Sequence, residues 1–76
     1  MYEFNTTIKA GSNFRPSALI YQHAKEHGFN TVDCYGSTCL VMGGNVYGYS
    51  AYRIQPIGDG FENVTVIMNL KSKAEN

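Results

Sequence analysis

Short glycine-centred turns, set between stretches of strand length, constrain the fold of this chain most strongly. From Thr31 the sequence reads TVDCYGSTCLVMGGNVYGYSAYRIQPIGDGFENVTVIMNL. Gly36-Ser37, Gly43-Gly44 and Gly58-Asp59-Gly60 are typical of two- and three-residue hairpin loops, because glycine adopts left-handed backbone angles without steric cost. The pattern therefore predicts four consecutive antiparallel strands after residue 30.

Two further elements precede these strands. Residues 2–10 alternate apolar and polar side chains, as a strand with one buried face does. A helix is predicted from Pro16 to His27, since proline suits the first helical position and Gly28 suits a left-handed cap. The apolar stripe of this helix is narrow, so the helix needs a sheet to lie on.

The element order β-α-β-β-β-β predicts the α+β class. One helix should pack on one face of a mainly antiparallel sheet of about five strands. Counting chain reversals makes the first strand antiparallel to the last, so we expect these two to pair. A parallel position beside the second strand, reached through the helical crossover, is the alternative. We expect one compact domain over residues 1–70 and a flexible tail over residues 71–76.

The predicted loops also specify which side chains share each face of the sheet. The first loop sets Cys34 opposite Cys39, and the last sets Ile54 opposite Val64. Strict alternation then places beneath the helix Val32, Cys34, Cys39, Val41, Val46, Gly48, Ser50, Tyr52, Ile54, Val64, Val66 and Met68. The uncovered face is expected to carry Tyr35, Leu40, Met42, Tyr47, Tyr49, Ala51, Arg53, Phe61 and Ile67.

The aromatic content of this uncovered face suggests that it binds a partner. A solvent-facing sheet surface is normally polar, whereas Tyr, Phe, Met and Arg are enriched in interface cores. We therefore assign partner binding to Tyr35, Leu40, Met42, Tyr47, Tyr49, Arg53, Phe61 and Ile67. Two alternatives remain: the tyrosines only stabilise the sheet as cross-strand pairs, or the face joins two copies as a homodimer.

Two cysteines and two histidines raise the question of a metal or redox site. Directly opposed, Cys34 and Cys39 could form a cross-strand disulfide, although free thiols are expected in a reducing cytosol. His23 and His27 are four residues apart on one helix face, which makes a Cys2His2 zinc site a candidate. We favour the simpler interpretation, in which His27 interacts with the last helix carbonyls and His23 borders the core. No cofactor is therefore expected.

Composition and motifs argue against several functional classes. Six basic and six acidic residues give a net charge of 0, so electrostatic attraction to duplex DNA or an anionic membrane is not expected. The apolar runs are too short for a membrane span, and Met1-Tyr2-Glu3 does not resemble a secretory signal, which predicts a cytoplasmic protein. The carboxylates show no spacing suited to acid–base catalysis, so we expect no enzyme.

Binding is the function that these observations favour. We expect a small non-enzymatic protein-binding module, such as an accessory protein of a phage or mobile element. It would sterically inhibit a host protein complex, as an inhibitor of the anti-CRISPR type does. One alternative is a sheet that stacks single-stranded nucleic acid on its tyrosines, which the shortage of basic residues disfavours. Another is a dimeric structural domain with the zinc site.

Overall fold

A computed structural model describes residues 1–73 and confirms the α+β class. Over these residues one helix lies on a five-stranded antiparallel sheet. The sheet order is β1-β5-β4-β3-β2, so the first strand pairs with the last, as predicted, rather than with β2. In chain order the elements are β1 (Tyr2–Lys9), α1 (Pro16–His27), β2 (Asn30–Cys34), β3 (Ser37–Met42), β4 (Asn45–Gly58) and β5 (Phe61–Ser72).

The helix begins and ends where its local chemistry predicts. Pro16 occupies the first turn, where its missing N–H leaves no hydrogen bond unmade. Gly28 has a φ of 73°, and its N–H donates to the carbonyl oxygen of Ala24. The N–H of Phe29 also donates to Ala24, at 2.8 Å. This left-handed cap satisfies a terminal carbonyl and turns the chain back toward the sheet.

A single core lies between α1 and the sheet. Leu19, Ile20 and Ala24 supply the helix side of this core. The sheet side consists of Phe4, Leu40, Val64, Val66 and Met68, and all eight side chains are buried. Because α1 is only 12 residues long, it leaves the far end of the β4–β5 hairpin uncovered. Residues 51–60 are all exposed, and the molecule measures 47 × 21 × 20 Å.

Two of the three predicted loops set the expected registers. Gly43 and Gly44 form a two-residue turn with φ angles of 56° and 79°, which places Val41 opposite Val46. In the last hairpin Ile54 lies opposite Val64, as predicted, although the loop itself is Asp59-Gly60 and Gly58 already pairs with Phe61. Glycine or aspartate at these left-handed positions is the expected chemistry of such turns.

The first hairpin turns one residue earlier than predicted. Its loop is Tyr35-Gly36 rather than Gly36-Ser37, so Cys34 lies opposite Ser37 and Cys39 lies opposite Val32. Each face keeps the same members, because a register shift of two positions preserves the alternation. The prediction that Cys34 and Cys39 lie directly opposite each other is therefore wrong.

A bulge at Ser50 reverses, relative to the prediction, which side chains face the helix in half of the sheet. Tyr49 pairs with Met68 and Ala51 pairs with Ile67, so Ser50 is an extra residue on β4 without a counterpart on β5. One extra residue moves every preceding side chain of β4 to the opposite face relative to β5. Because β3 pairs with that part of β4, and β2 pairs with β3, the side chains of these two strands also lie on the opposite faces from those predicted. The assumption of strict alternation through residues 46–54 is wrong here.

The last strand is longer than predicted. β5 continues to Ser72, so Lys71 and Ser72 belong to the sheet and not to the expected tail. Val46 pairs with Ser72 and Tyr47 with Leu70, which leaves Lys71 as a second irregularity. Residues 74–76, the end of the predicted flexible tail, lie outside the described residues.

β4 changes from an inner strand to an edge strand along its length. β3 pairs with it only at Asn45, Val46 and Tyr47. Within residues 1–73, no strand pairs with the outer side of residues 51–56, which we call the open edge. Pro56 lies in this segment, and proline, which has no N–H to donate, is found on edge strands, at strand ends or at bulges.

Candidate functional site

Three of the residues assigned to partner binding lie beneath the helix instead. Leu40 is fully buried in the core, and Met42 and Tyr47 pack against it. The ring of Tyr47 lies 5.9 Å from that of Tyr2, on the helix side of the sheet. Tyr49 shares this side through its pairing with Met68, although it is 38% exposed. The predicted aromatic face therefore does not exist as one surface, because of the bulge at Ser50.

The remaining assigned residues stay on the side away from α1 or at the hairpin tip. Phe61 and Ile67 alternate along β5 with its buried valines. Arg53 alternates along β4 with the residues that pair with those valines, so all three lie on the predicted side. Arg53 Nη2 lies 3.7 Å from Glu3 Oε1, an exposed pair in which solvent weakens the attraction. Phe61 is 47% exposed, whereas Ile67 is half-buried. These residues do not form a contiguous aromatic cluster with Tyr35.

Tyr35 is the most unusual of the assigned residues. It is the first loop residue of the β2–β3 hairpin, with a φ of 54°, and its side chain is fully exposed. A bulky residue in this left-handed region is a genuine outlier and is strained, whereas asparagine or glycine would adopt it readily. Strained backbone of this kind persists where the surrounding structure imposes it, and it is found most often at functional sites.

A cleft of about 330 Å³ lies beside this hairpin tip. Lys71 closes one side, and its aliphatic stem passes over Gly48. A Cβ at position 48 would lie 2.5 Å from Lys71 Cε, so a larger residue there would displace the flexible lysine stem. Glycine thus makes room for the lysine stem. The cleft is lined by Cys34, Tyr35, Ser37, Cys39, Gly48, Tyr49 and Lys71.

The two thiols of this cleft are free and lie on the same sheet face, diagonally across the hairpin. Diagonal neighbours are roughly 7–8 Å apart, beyond the range of about 4.4–6.8 Å between α-carbons that a disulfide tolerates. The observed register therefore disfavours the disulfide that direct opposition would have allowed. Burial raises the pKa of Cys39 to about 11, and a hydrogen bond with the Cys34 side chain contributes further.

Alkylation should distinguish the two thiols. Because only the thiolate reacts, we expect Cys39 to be modified by iodoacetamide roughly tenfold or more slowly than Cys34 in the folded protein at about pH 8. In urea both should react at similar rates. Tandem mass spectrometry of the alkylated peptide gives the two rates. Equal rates in the folded protein would show that Cys39 is neither buried nor shifted.

The histidines belong to a separate cluster between α1 and β1. His23 Nε2 and the Tyr2 hydroxyl share a hydrogen bond of 2.7 Å, and the His23 ring stacks on Phe4 with centroids 3.9 Å apart. His27 Nδ1 donates to the carbonyl oxygen of His23 at 3.0 Å. This arrangement agrees with the interpretation that His27 interacts with helix carbonyls and His23 borders the core.

The four candidate ligands of a Cys2His2 zinc site do not come together. Cys34 and Cys39 lie on the face away from α1, whereas His23 and His27 lie on α1 itself. In the part of the chain that the structure describes, no three potential metal ligands come together. The bulge at Ser50 is again the reason, since it turns the cysteine face away from the helix.

The His23 cluster predicts a pH-dependent stability. Burial lowers the pKa of His23, and the neighbouring His27 lowers it further, while Glu26 opposes them. The unfolded chain then takes up a proton first as the pH falls below about 6.5, so stability decreases there. We expect a lower urea midpoint at about pH 5 than at about pH 7.5, and a smaller difference in His23→Gln. An unchanged difference in that variant would contradict this assignment.

Sequence reasoning missed two features of the surface. In the sequence only Pro56 indicates the open edge of β4. The length of the unpaired strand depends on where β3 stops pairing with β4, which the sequence does not show. The position of Tyr35 in a loop was missed, because glycine at the next position made Gly36-Ser37 the less strained choice. The bulge itself left a trace: the tyrosines fall at 47 and 49 and then at 52, so their spacing changes from two to three.

Residues 1–73 form one helix, α1, and it is too short and too polar to cross a membrane.

Comparison of the chain with protein-family models, with curated proteins and with solved structures gives no match.

Proposed function

We propose that this chain is a non-enzymatic protein-binding module that docks through Tyr35 and the cleft beside it. The observation that carries the proposal is the exposed, strained position of Tyr35. Tyrosine supplies a large, rigid contact area with one polar group, and it is enriched among the residues that dominate binding energy. The adjoining cleft, with the second tyrosine at position 49, offers a partner side chain a place to insert.

Steric inhibition of a host protein complex is the role that we propose for such a module. The molecule is 47 Å long and only about 20 Å wide, so once docked through Tyr35 it covers surface well beyond the contact. A short accessory protein of a phage or mobile element, of the anti-CRISPR type, would act in this way. The single-stranded nucleic acid alternative has less support, because Tyr47 lies on the helix side and cannot form a stacking platform with Tyr35.

Replacing Tyr35 by asparagine tests the proposal, because it should make the protein more stable and its binding weaker. Asparagine adopts the left-handed loop position readily, so the free energy of unfolding should rise by about 1 kcal/mol. Capture of a partner from the lysate of the native host should decrease at least tenfold, because the aromatic anchor is lost. Tyr21→Gln is the matched control, since Tyr21 is 58% exposed on α1, away from the cleft.

The two measurements together make the result interpretable. A partner that wild type and Tyr21→Gln capture and that Tyr35→Asn loses, while Tyr35→Asn is more stable, supports the proposal. Loss of binding could not then be ascribed to unfolding. Undiminished capture by Tyr35→Asn would refute it.

A further inference from the structure

We infer that Cys34 and Cys39 bind one Cu(I) ion between their sulfurs, in the cleft beside Tyr35. Both side chains line this cleft, they share one sheet face, and a hydrogen bond joins them. Both thiols are free, and thiolate is among the ligands that Cu(I) prefers in proteins. The inference goes beyond partner binding and does not rest on it, because it needs only the two sulfurs and the groups around them.

The spacing that disfavours a disulfide suits a metal ion between the two sulfurs. In a disulfide the sulfurs are about 2.05 Å apart. Two metal–sulfur bonds of about 2.3 Å each, the length found for a zinc thiolate, set them up to about 4.6 Å apart. The α-carbons can then be farther apart by up to about 2.5 Å than in a disulfide, which covers the roughly 7–8 Å of a diagonal pair. The two strands therefore need not move to admit the ion.

The number of ligands favours Cu(I) over zinc. Structural zinc takes four protein ligands in a tetrahedral arrangement. Within residues 1–73 no three potential ligands from His, Cys, Asp and Glu come together, so zinc would be left with this pair alone. Cu(I) has a filled d shell and forms stable complexes with two thiolates in a nearly linear arrangement. A pair of cysteines is therefore a complete ligand set for Cu(I) and an incomplete one for zinc.

Lys71 supplies the charge that such a complex needs. Binding releases one proton from each thiol to solvent, so two thiolates and one Cu(I) together carry a single negative charge. Cys39 is only 2% exposed, and a buried charge is costly unless an opposite charge lies close to it. The Lys71 stem passes over Gly48 into the same cleft, and its ammonium attracts negative charge on Cys39, whereas Asp33 repels it. Lys71 thus compensates the charge of the complex from within the cleft.

Competition for Cu(I) with the chelator bicinchoninate, under nitrogen and with ascorbate present, tests the inference. We expect the full chain to take up one Cu(I), and Cys34→Ser or Cys39→Ala to weaken binding at least about 100-fold, more than loss of an outer-shell group costs. Lys71→Met should weaken it about tenfold. Wild type that binds Cu(I) no more tightly than either single cysteine variant overturns the inference.

A double variant, Cys39→Ala with Val41→Cys, is the matched control. It keeps two thiols on the same sheet face, but position 41 pairs with Asn30, so its sulfur lies too far along the hairpin to share a metal with Cys34. We expect it to bind Cu(I) no better than Cys39→Ala does. Binding as tight as in wild type would show that any two thiols suffice and that the cleft is not a site.

X-ray absorption and sedimentation of the Cu(I) complex test its geometry. We predict two sulfur neighbours for the copper in a monomeric protein, since both ligands come from one hairpin. Three sulfur neighbours, or a copper-dependent dimer, would contradict this arrangement. Tyr35→Asn leaves both thiols and Lys71 in place, so it should bind Cu(I) as wild type does while it loses the protein partner. Failure of the metal site and failure of the proposed function are thus distinguishable.

Discussion

Replacing Leu40 by alanine is expected to lower the free energy of unfolding by about 2–5 kcal/mol, the usual cost of emptying a fully buried leucine site. Leu40 is 0% exposed and lies in the core with Ile20, Val66 and Met68. A domain of this size has little stability to spare, so the loss should be large in a urea titration followed by circular dichroism.

Val32→Ala is the matched control for this prediction. Val32 lies on the same hairpin but on the opposite face, and it is 42% exposed. Its truncation should change stability by about 0.5 kcal/mol or less. Strict alternation predicts the reverse order, with Val32 buried beneath the helix and Leu40 in solvent. A larger effect of Val32→Ala than of Leu40→Ala would therefore mean that the faces are assigned the wrong way round.

Deletion of Ser50 is expected to be the most damaging single change in the sheet outside its loops. Without the extra residue, β2, β3 and the first part of β4 would have to present Cys39 and Val41 to the helix in place of Leu40 and Met42. The alternative for the chain is to break pairing elsewhere. Either way we expect stability to fall by about 3 kcal/mol or more, with a broadened unfolding transition and reduced chemical-shift dispersion in the NMR spectrum.

Ser50→Ala separates the role of the extra residue from that of its side chain. Ser50 is exposed, so its hydroxyl should matter little, and the change in stability should stay within about 0.5 kcal/mol. If the deletion variant is as stable as wild type, the bulge does not specify the faces.

Local chemistry predicted those parts of the fold that depend on a few neighbouring residues. Pro16 and Gly28 bound the helix because each satisfies a backbone requirement of a helix end. Gly43-Gly44 set its hairpin register because both loop positions need left-handed angles. The pairing of β1 with β5 followed from counting reversals of direction.

The candidate site was predicted less well, because one inserted residue is enough to invert a face. Alternation that continues unbroken through Ser50 predicts the wrong face for Leu40, Met42, Tyr47 and both cysteines. No glycine or proline marks the bulge, so only the altered tyrosine spacing could have located it. The strained loop at Tyr35 was unpredictable for another reason: local preference disfavours tyrosine there, and the tertiary structure overrides that preference.

The position of the candidate site depends on which face of β3 meets the helix, and methyl contacts measured by carbon-edited NOE spectroscopy test this most directly. We predict cross-peaks from the Leu40 methyls to those of Ile20 on α1 and to the Met68 methyl on β5. Val41 and Val32 should show none to Ile20, since both lie on the opposite face. Cross-peaks from Val41 to Ile20 in the absence of any from Leu40 would contradict the arrangement of the sheet, and with it the placement of Tyr35 and its cleft.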